Sequence, residues 1–144
     1  MPRVELAIEE SRRRFAVARV ARLATVAADG RPHLVPVTFA VRDDVVVIAV
    51  DHKPKRSAAL RRLANIEATG LVSLLVDEYD EDWSRLWWVR ADGTARVLRA
   101  EQDRREPVRW LCGKYPQYAH RPPDGPVIRA AVARWRGWSS APAP

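Results

Sequence analysis

The stretch His52–Arg62, HKPKRSAALRR, holds five lysines and arginines and no acid. It lies between an apolar run, VVVIAV over Val45–Val50, and a segment with helical spacing. Lys53, Lys55 and Arg56 therefore stand where a helix begins. Free backbone N–H groups and the positive end of the helix dipole add to their charge there. Such side chains form charge-assisted hydrogen bonds to phosphate oxygens. The chemistry is anion binding; a solvated basic turn is the alternative. Arg61 and Arg62, further into the helix, read as surface residues.

A second group is Thr25, Pro36, Val37 and Thr38, in LATVAADGRPHLVPVTF. Pro36 removes one ladder donor from its strand, which places it at an edge, a bulge or a point where a ligand takes over. Thr25 and Thr38 also fit as ordinary β-branched strand residues. His33 could relay a proton, but a hairpin position explains it as well. His52 could assist the basic loop, and His120 falls in a loop. Three scattered histidines and Cys112 make no metal site, and Cys112 reads as a small buried hydrophobe. Trp87 and Trp88 adjoin in one strand, so they point to opposite faces. One enters the core. The other must cover a ligand ring or fill an interface. No G-x-G-x-x-G, Walker loop or nucleophile–His–acid set is present, so a bound cofactor would have to carry any redox reactivity. No side chain is singled out as catalytic.

The whole chain is basic, with 144 residues, a formal net charge of +7 and one cysteine. The charge favours anionic partners. Its aromatics cluster beside the acidic run DEYDED, away from the basic loop, which argues against nucleic acid. The charged N-terminus lacks a signal-peptide core, and no apolar run approaches the ~20 residues that span a bilayer. A cytoplasmic protein with no membrane partner is expected.

The elements that must position these residues follow from periodicity. Val4–Arg19 reads as an amphipathic helix. Strands are expected over Val20–Ala27 and His33–Val41, joined at Asp29-Gly30, and over Val45–Val50, buried on both faces. A helix follows over Ala58–Ala68, capped by Ser57, and then a strand over Leu71–Val76. Leu86–Ala91 and Thr94–Arg99 are expected as two strands joined by a second D-G turn, Asp92-Gly93. A helix over Glu101–Lys114 and a last strand over Val127–Trp138 complete the domain. Residues 1–139 form a single domain, and 140–144 a flexible tail. Short antiparallel strands with peripheral helices favour a mainly β, Greek-key-like barrel.

The combination of A-T, D-G-R-P-H and P-V with KPKRSAALRRLANI and DEYDEDWSRLWWVRADGTARV resembles the pyridoxamine 5′-phosphate oxidase-like, FMN-binding split-barrel family. More narrowly it is similar to the actinobacterial branch of probable F420-dependent enzymes. The resemblance covers about Phe15 to Trp138. It implies a homodimer with two coenzyme sites at the interface and an oxidoreductase that exchanges a hydride between the coenzyme and a small organic substrate. It places the coenzyme ring against Thr25 and Pro36-Val37-Thr38, and its phosphate on Lys53, Lys55 and Arg56. Aromatic and basic residues of the partner close the site, with Trp88 as a candidate. The coenzyme it implies is F420, with FMN, or a non-catalytic binding role, as the alternative.

Overall fold

The computed structural model describes residues 3–50 and 57–140, and the side chains of these except 57–59. Lys53, Lys55 and Arg56 lie outside the described residues. Eight strands form one antiparallel sheet: β1 (Arg3–Glu5), β2 (Ala21–Val26), β3 (Pro32–Val37), β4 (Ala40–Arg42), β5 (Val45–Ala49), β6 (Leu71–Glu78), β7 (Trp87–Leu98) and β8 (Val127–Ser140). The strand order is β3-β2-β6-β7-β8-β5-β4, with β1 paired to β8. The helices are α1 (Ile8–Val17), α2 (Ser57–Thr69), α3 (Glu101–Lys114) and α4 (Pro116–His120). Strands β3 and β4 end the order unpaired with each other, yet the chain runs from one to the other through Thr38 and Phe39. This is a split β-barrel, closed there by chain rather than by a hydrogen-bonded ladder.

One apolar cluster fills the barrel, drawing on Leu23, Val37, Ile48, Leu74, Val89 and Ile128 from six strands. Phe15 of α1 and Leu63 and Ile66 of α2 join it. A second cluster, Val47, Ala49, Leu98, Leu111 and Val127, lies beneath α3. Strand β5 is thus buried on both faces, as its unbroken apolar run implies.

Several boundaries differ from the periodicity: the strand expected over His33–Val41 breaks at Thr38 and Phe39 into β3 and β4, and His120 ends α4 instead of lying in a loop. Arg3–Glu5 pairs with Ser140–Trp138 as β1, so the first helix starts only at Ile8. The same pairing draws Ser139 and Ser140 into β8, and residues 141–144 lie outside the described residues. Asp92-Gly93 is no hairpin: β7 runs straight through it from Trp87 to Leu98. The D-G pair instead faces a bulge, because Asp92 pairs with Arg134 and Gly93 with Val132, which leaves Ala133 over. A Cβ on Gly93 would stand 2.0 Å from the Ala131 carbonyl oxygen. The glycine therefore serves a close backbone approach, not a turn. Asp29-Gly30 is a true hairpin turn, with Gly30 at φ 88° and Arg31 N–H donating to Asp29 Oδ1 at 3.0 Å.

The bulge also sets which tryptophans face inward. Before it, Ile128 and Ala130 point into the barrel; after it, Trp135 and Gly137 do. The extra residue moves the inward set from even to odd numbers. Trp135 packs edge-on against Phe15 at 5.2 Å and donates its indole N–H to Asp44 Oδ1 at 2.9 Å. That hydrogen bond, and then the Arg12 guanidinium, hold the Asp44 carboxyl below its ordinary pKa.

Candidate functional site

Helix α2 is tied to the first hairpin by two polar contacts. Asn65 Nδ2 donates to Thr25 Oγ1 at 3.0 Å, and Thr69 Oγ1 donates to the Val26 carbonyl at 2.9 Å. Thr25 is only 1% exposed, on the inward side of β2 between Leu23 and the barrel end. Its hydroxyl therefore anchors the helix. One turn before Asn65 stands Arg61. Together with Ala27, Asp29, Arg31, Pro32 and His33 these two residues line a recess of about 120 Å³. His33 Nδ1 is buried there without a hydrogen-bond partner among the described residues. Arg31 and Arg61 enter no ion pair among the described residues. The Asp29 carboxylate accepts from the Arg31 N–H. Two guanidiniums and an imidazole around one small void suit an anion with several acceptor oxygens, set against the single carboxylate of Asp29. The recess adjoins the helix that begins at Ser57, directly after the basic run. Sequence reasoning set Arg61 aside as a surface residue and weighed His33 as a hairpin position. The i, i+4 pair Arg61/Asn65 was the signal that could have found the recess.

The remaining sequence candidates point in different directions. Val37 is buried in the barrel. Pro36 is exposed on β3, the edge strand at one end of the order, and pairs with Arg22. Thr38 shares a hydrogen bond of 2.8 Å with the Tyr118 hydroxyl of α4. Trp88 lies on the outer face of β7, directly opposite Trp138 of β8 and Asp77 of β6, while Trp87 packs against the core. Pro36 and Trp88 share this outer face but stand three strands apart, about 14 Å at the usual spacing. Between them run Arg22, Leu75 and Arg90, and one row further on Ala24, Ser73 and Asp92. The second row borders a trough of about 270 Å³ with Val26, Leu71 and Gly93. Ser73 Oγ donates to Asp92 Oδ1 at 2.7 Å, and Arg90 Nε to the same oxygen at 3.0 Å. Within one chain the side chains of Thr25, Val37, Pro36 and Thr38 do not converge. What β3 offers a ligand is its unpaired backbone edge.

Beside Thr38, the Lys114 ammonium sits 3.7 Å above the Phe39 ring and has no hydrogen-bond partner among the described residues. Burial, with the charge of Arg19, pushes its pKa down from 10.5 to about 8. The unfolded chain holds this proton up to about pH 10.5, the folded chain only to about 8, so stability rises with pH between these values. Lys114→Met is expected to be more stable than the parent below pH 8, by a margin that shrinks towards pH 10.5. Urea unfolding of both proteins at pH 7, 9 and 10.5 measures this. A margin that does not change with pH would deny the buried charge.

A family model for pyridoxamine 5′-phosphate oxidase matches residues 7–139, nearly the whole chain. The chain belongs to the pyridoxamine 5′-phosphate oxidase family. No curated protein matches it. Solved structures share the family's split barrel at low identity. A FAD-binding protein from Mesorhizobium loti is 20% identical, with a TM-score of 0.76 over 98% of this chain and 100% of that one. The FAD-binding protein of Mycobacterium smegmatis is 20% identical, with a TM-score of 0.66 over 94% and 97%. A haem storage protein from Vibrio cholerae is 17% identical, with a TM-score of 0.68 over 90% and 92%. These likenesses establish the fold. Membership of the pyridoxamine 5′-phosphate oxidase family points to a flavin-related oxidoreductase or binding protein. Among the described residues no helix is long and apolar enough to cross a membrane, and no group of His, Cys, Asp and Glu could hold a metal.

Proposed function

We propose that the chain is an oxidoreductase that binds the deazaflavin F420 as a homodimer. The observation that carries this reading is the recess of Arg31, His33, Arg61 and Asn65 at the helix that follows the basic run. These residues fit a phosphodiester, and in the sequence Lys53, Lys55 and Arg56 come directly before the helix that carries Arg61 and Asn65. F420 carries a phosphodiester and a polyglutamate tail, so it draws on more of the +7 charge than the single phosphate of FMN. When bound, the deazaflavin ring supplies a carbon that accepts or donates hydride. The protein's part is to grip the anionic tail, offer the β3 edge to the ring's carbonyl and N–H groups, and exclude water. FMN is the second reading, favoured by the flavin-binding proteins that share the fold.

A second copy of the chain is expected to cover the outer sheet face at its β3, β2 and β6 end. Leu34 is 67% exposed and Leu71 52% exposed there, beside Pro36 and Val26, a large apolar area for a monomer. Light scattering should give the mass of a dimer.

Fluorescence titration with F420, FMN and FAD ranks the coenzymes. F420 binding at least tenfold tighter than FMN supports the proposal. Tight FMN binding without F420 binding replaces the coenzyme with a flavin. Binding of none of the three removes the oxidoreductase reading.

A further inference from the structure

At the far end of the outer face from β3 lies a separate cavity of about 360 Å³. Its walls include Trp87, Trp88, Trp138 and Tyr79, with Asp77, Glu78 and Arg90 as its charged groups. The register explains the grouping. Asp77, Trp88 and Trp138 are direct neighbours across three strands, so their side chains share a face. Trp138 is there only because the bulge at Ala133 turned it outward.

The charges around this cavity are not those of the rest of the molecule. Five of the six residues Asp77–Asp82 are acidic, in a protein of net charge +7. Asp77 enters no ion pair among the described residues. Glu78 accepts the indole N–H of Trp87 at 2.9 Å and enters no ion pair among the described residues. Among the described residues, the one cation lining the cavity, Arg90, is answered by Asp92 at 3.0 Å. The lining is therefore anionic as well as aromatic. Three guanidiniums already lie within cation–π range of its indoles, Arg90 at 5.9 Å from the Trp88 ring, Arg3 at 5.7 Å from that of Trp138 and Arg14 at 5.3 Å from that of Trp87.

We infer that this cavity binds flat aromatic molecules that carry a positive charge. Paired indoles select a planar ring system, and the volume holds two or three fused rings. The carboxylates Asp77 and Glu78 select the cation. The overall field of a +7 protein draws anions instead. A preference for a cation must therefore come from the site itself.

The test uses two probes of one shape and opposite charge, N-methylacridinium and acridine-9-carboxylate, titrated without coenzyme into the full chain at low salt. The cation is expected to bind at least tenfold tighter. The double variant Asp77→Asn/Glu78→Gln should weaken the cation about tenfold and leave the carboxylate unchanged or tighter. Trp138→Ala, checked for folding by its melting curve, should weaken both probes. A carboxylate that binds as well as the cation overturns the inference, as does a double variant that binds the cation like the parent. If Trp138→Ala fails to fold, the double variant and the probe pair still decide. Failure here with F420 binding intact removes only the cavity's role. Cation binding intact with no coenzyme bound removes the oxidoreductase reading and leaves the cavity.

Discussion

Gly93→Ala is expected to lower the stability of the fold by about 3 kcal/mol or more, at the upper end for a single added methyl. The new Cβ would meet the Ala131 carbonyl oxygen at 2.0 Å and the Val132 Cα at 3.0 Å. Both are backbone atoms of the neighbouring strand, so no rotamer change relieves the contact. The pairing of β7 with β8 is the longest ladder in the sheet and holds the barrel together. A domain of this size has about 5–15 kcal/mol in all. Gly113→Ala is the matched control. Gly113 lies within α3, and a Cβ there meets nothing within 4 Å. It should gain about 0.5–1 kcal/mol from the better helix propensity of alanine. Urea unfolding of the two variants beside the parent reads both signs. Equal midpoints for Gly93→Ala and the parent would contradict the close approach of the two strands.

The second large effect concerns binding. The double variant Arg31→Ala/Arg61→Ala is expected to weaken F420 by about 100-fold or more. Each guanidinium lost removes a charge-assisted contact of about 1.5–3 kcal/mol, and about 1.4 kcal/mol is tenfold. Arg99→Ala serves as the control, since Arg99 is paired with Glu67 at 2.9 Å, and it should leave affinity unchanged. The same titration on a Lys53→Ala/Lys55→Ala/Arg56→Ala variant tests the basic run. A loss confined to the triple variant would move the phosphate seat away from the recess. A loss confined to Arg31 and Arg61 would place it there.

Much of the architecture was legible because local rules and tertiary contacts agree. The unbroken apolar run at Val45–Val50 did become a strand buried on both faces. Asp29-Gly30 did close a hairpin, and the segment after Ser57 did form a helix. Of the adjoining Trp87 and Trp88, only Trp87 packs against the core cluster, and both border the outer cavity. The disagreements share one cause, which is pairing between residues distant in sequence. Arg3–Glu5 has helical company in the chain, but its backbone groups are met by residues 138–140. Asp92-Gly93 has the composition of a turn, yet a strand about forty residues on needs the space above it.

The candidate site was legible only in part. Lys53, Lys55 and Arg56 stand out by charge alone. Arg31, His33 and Arg61 do not, because the hairpin and the helix that bring them together are separated by some thirty residues.

From the order of its residues alone, the chain determines a basic, mainly β domain with an apolar barrel core and a run of cations entering a helix. Period, charge and turn chemistry are local properties, and they act wherever the chain folds. The tertiary structure alone decided where Trp135 and Trp138 point, and so whether the outer face carries an aromatic cavity. One unpaired residue in β8, Ala133, reverses the alternation of everything after it. That residue is left over only because the Gly93 backbone lies close enough to β8 to shift the ladder.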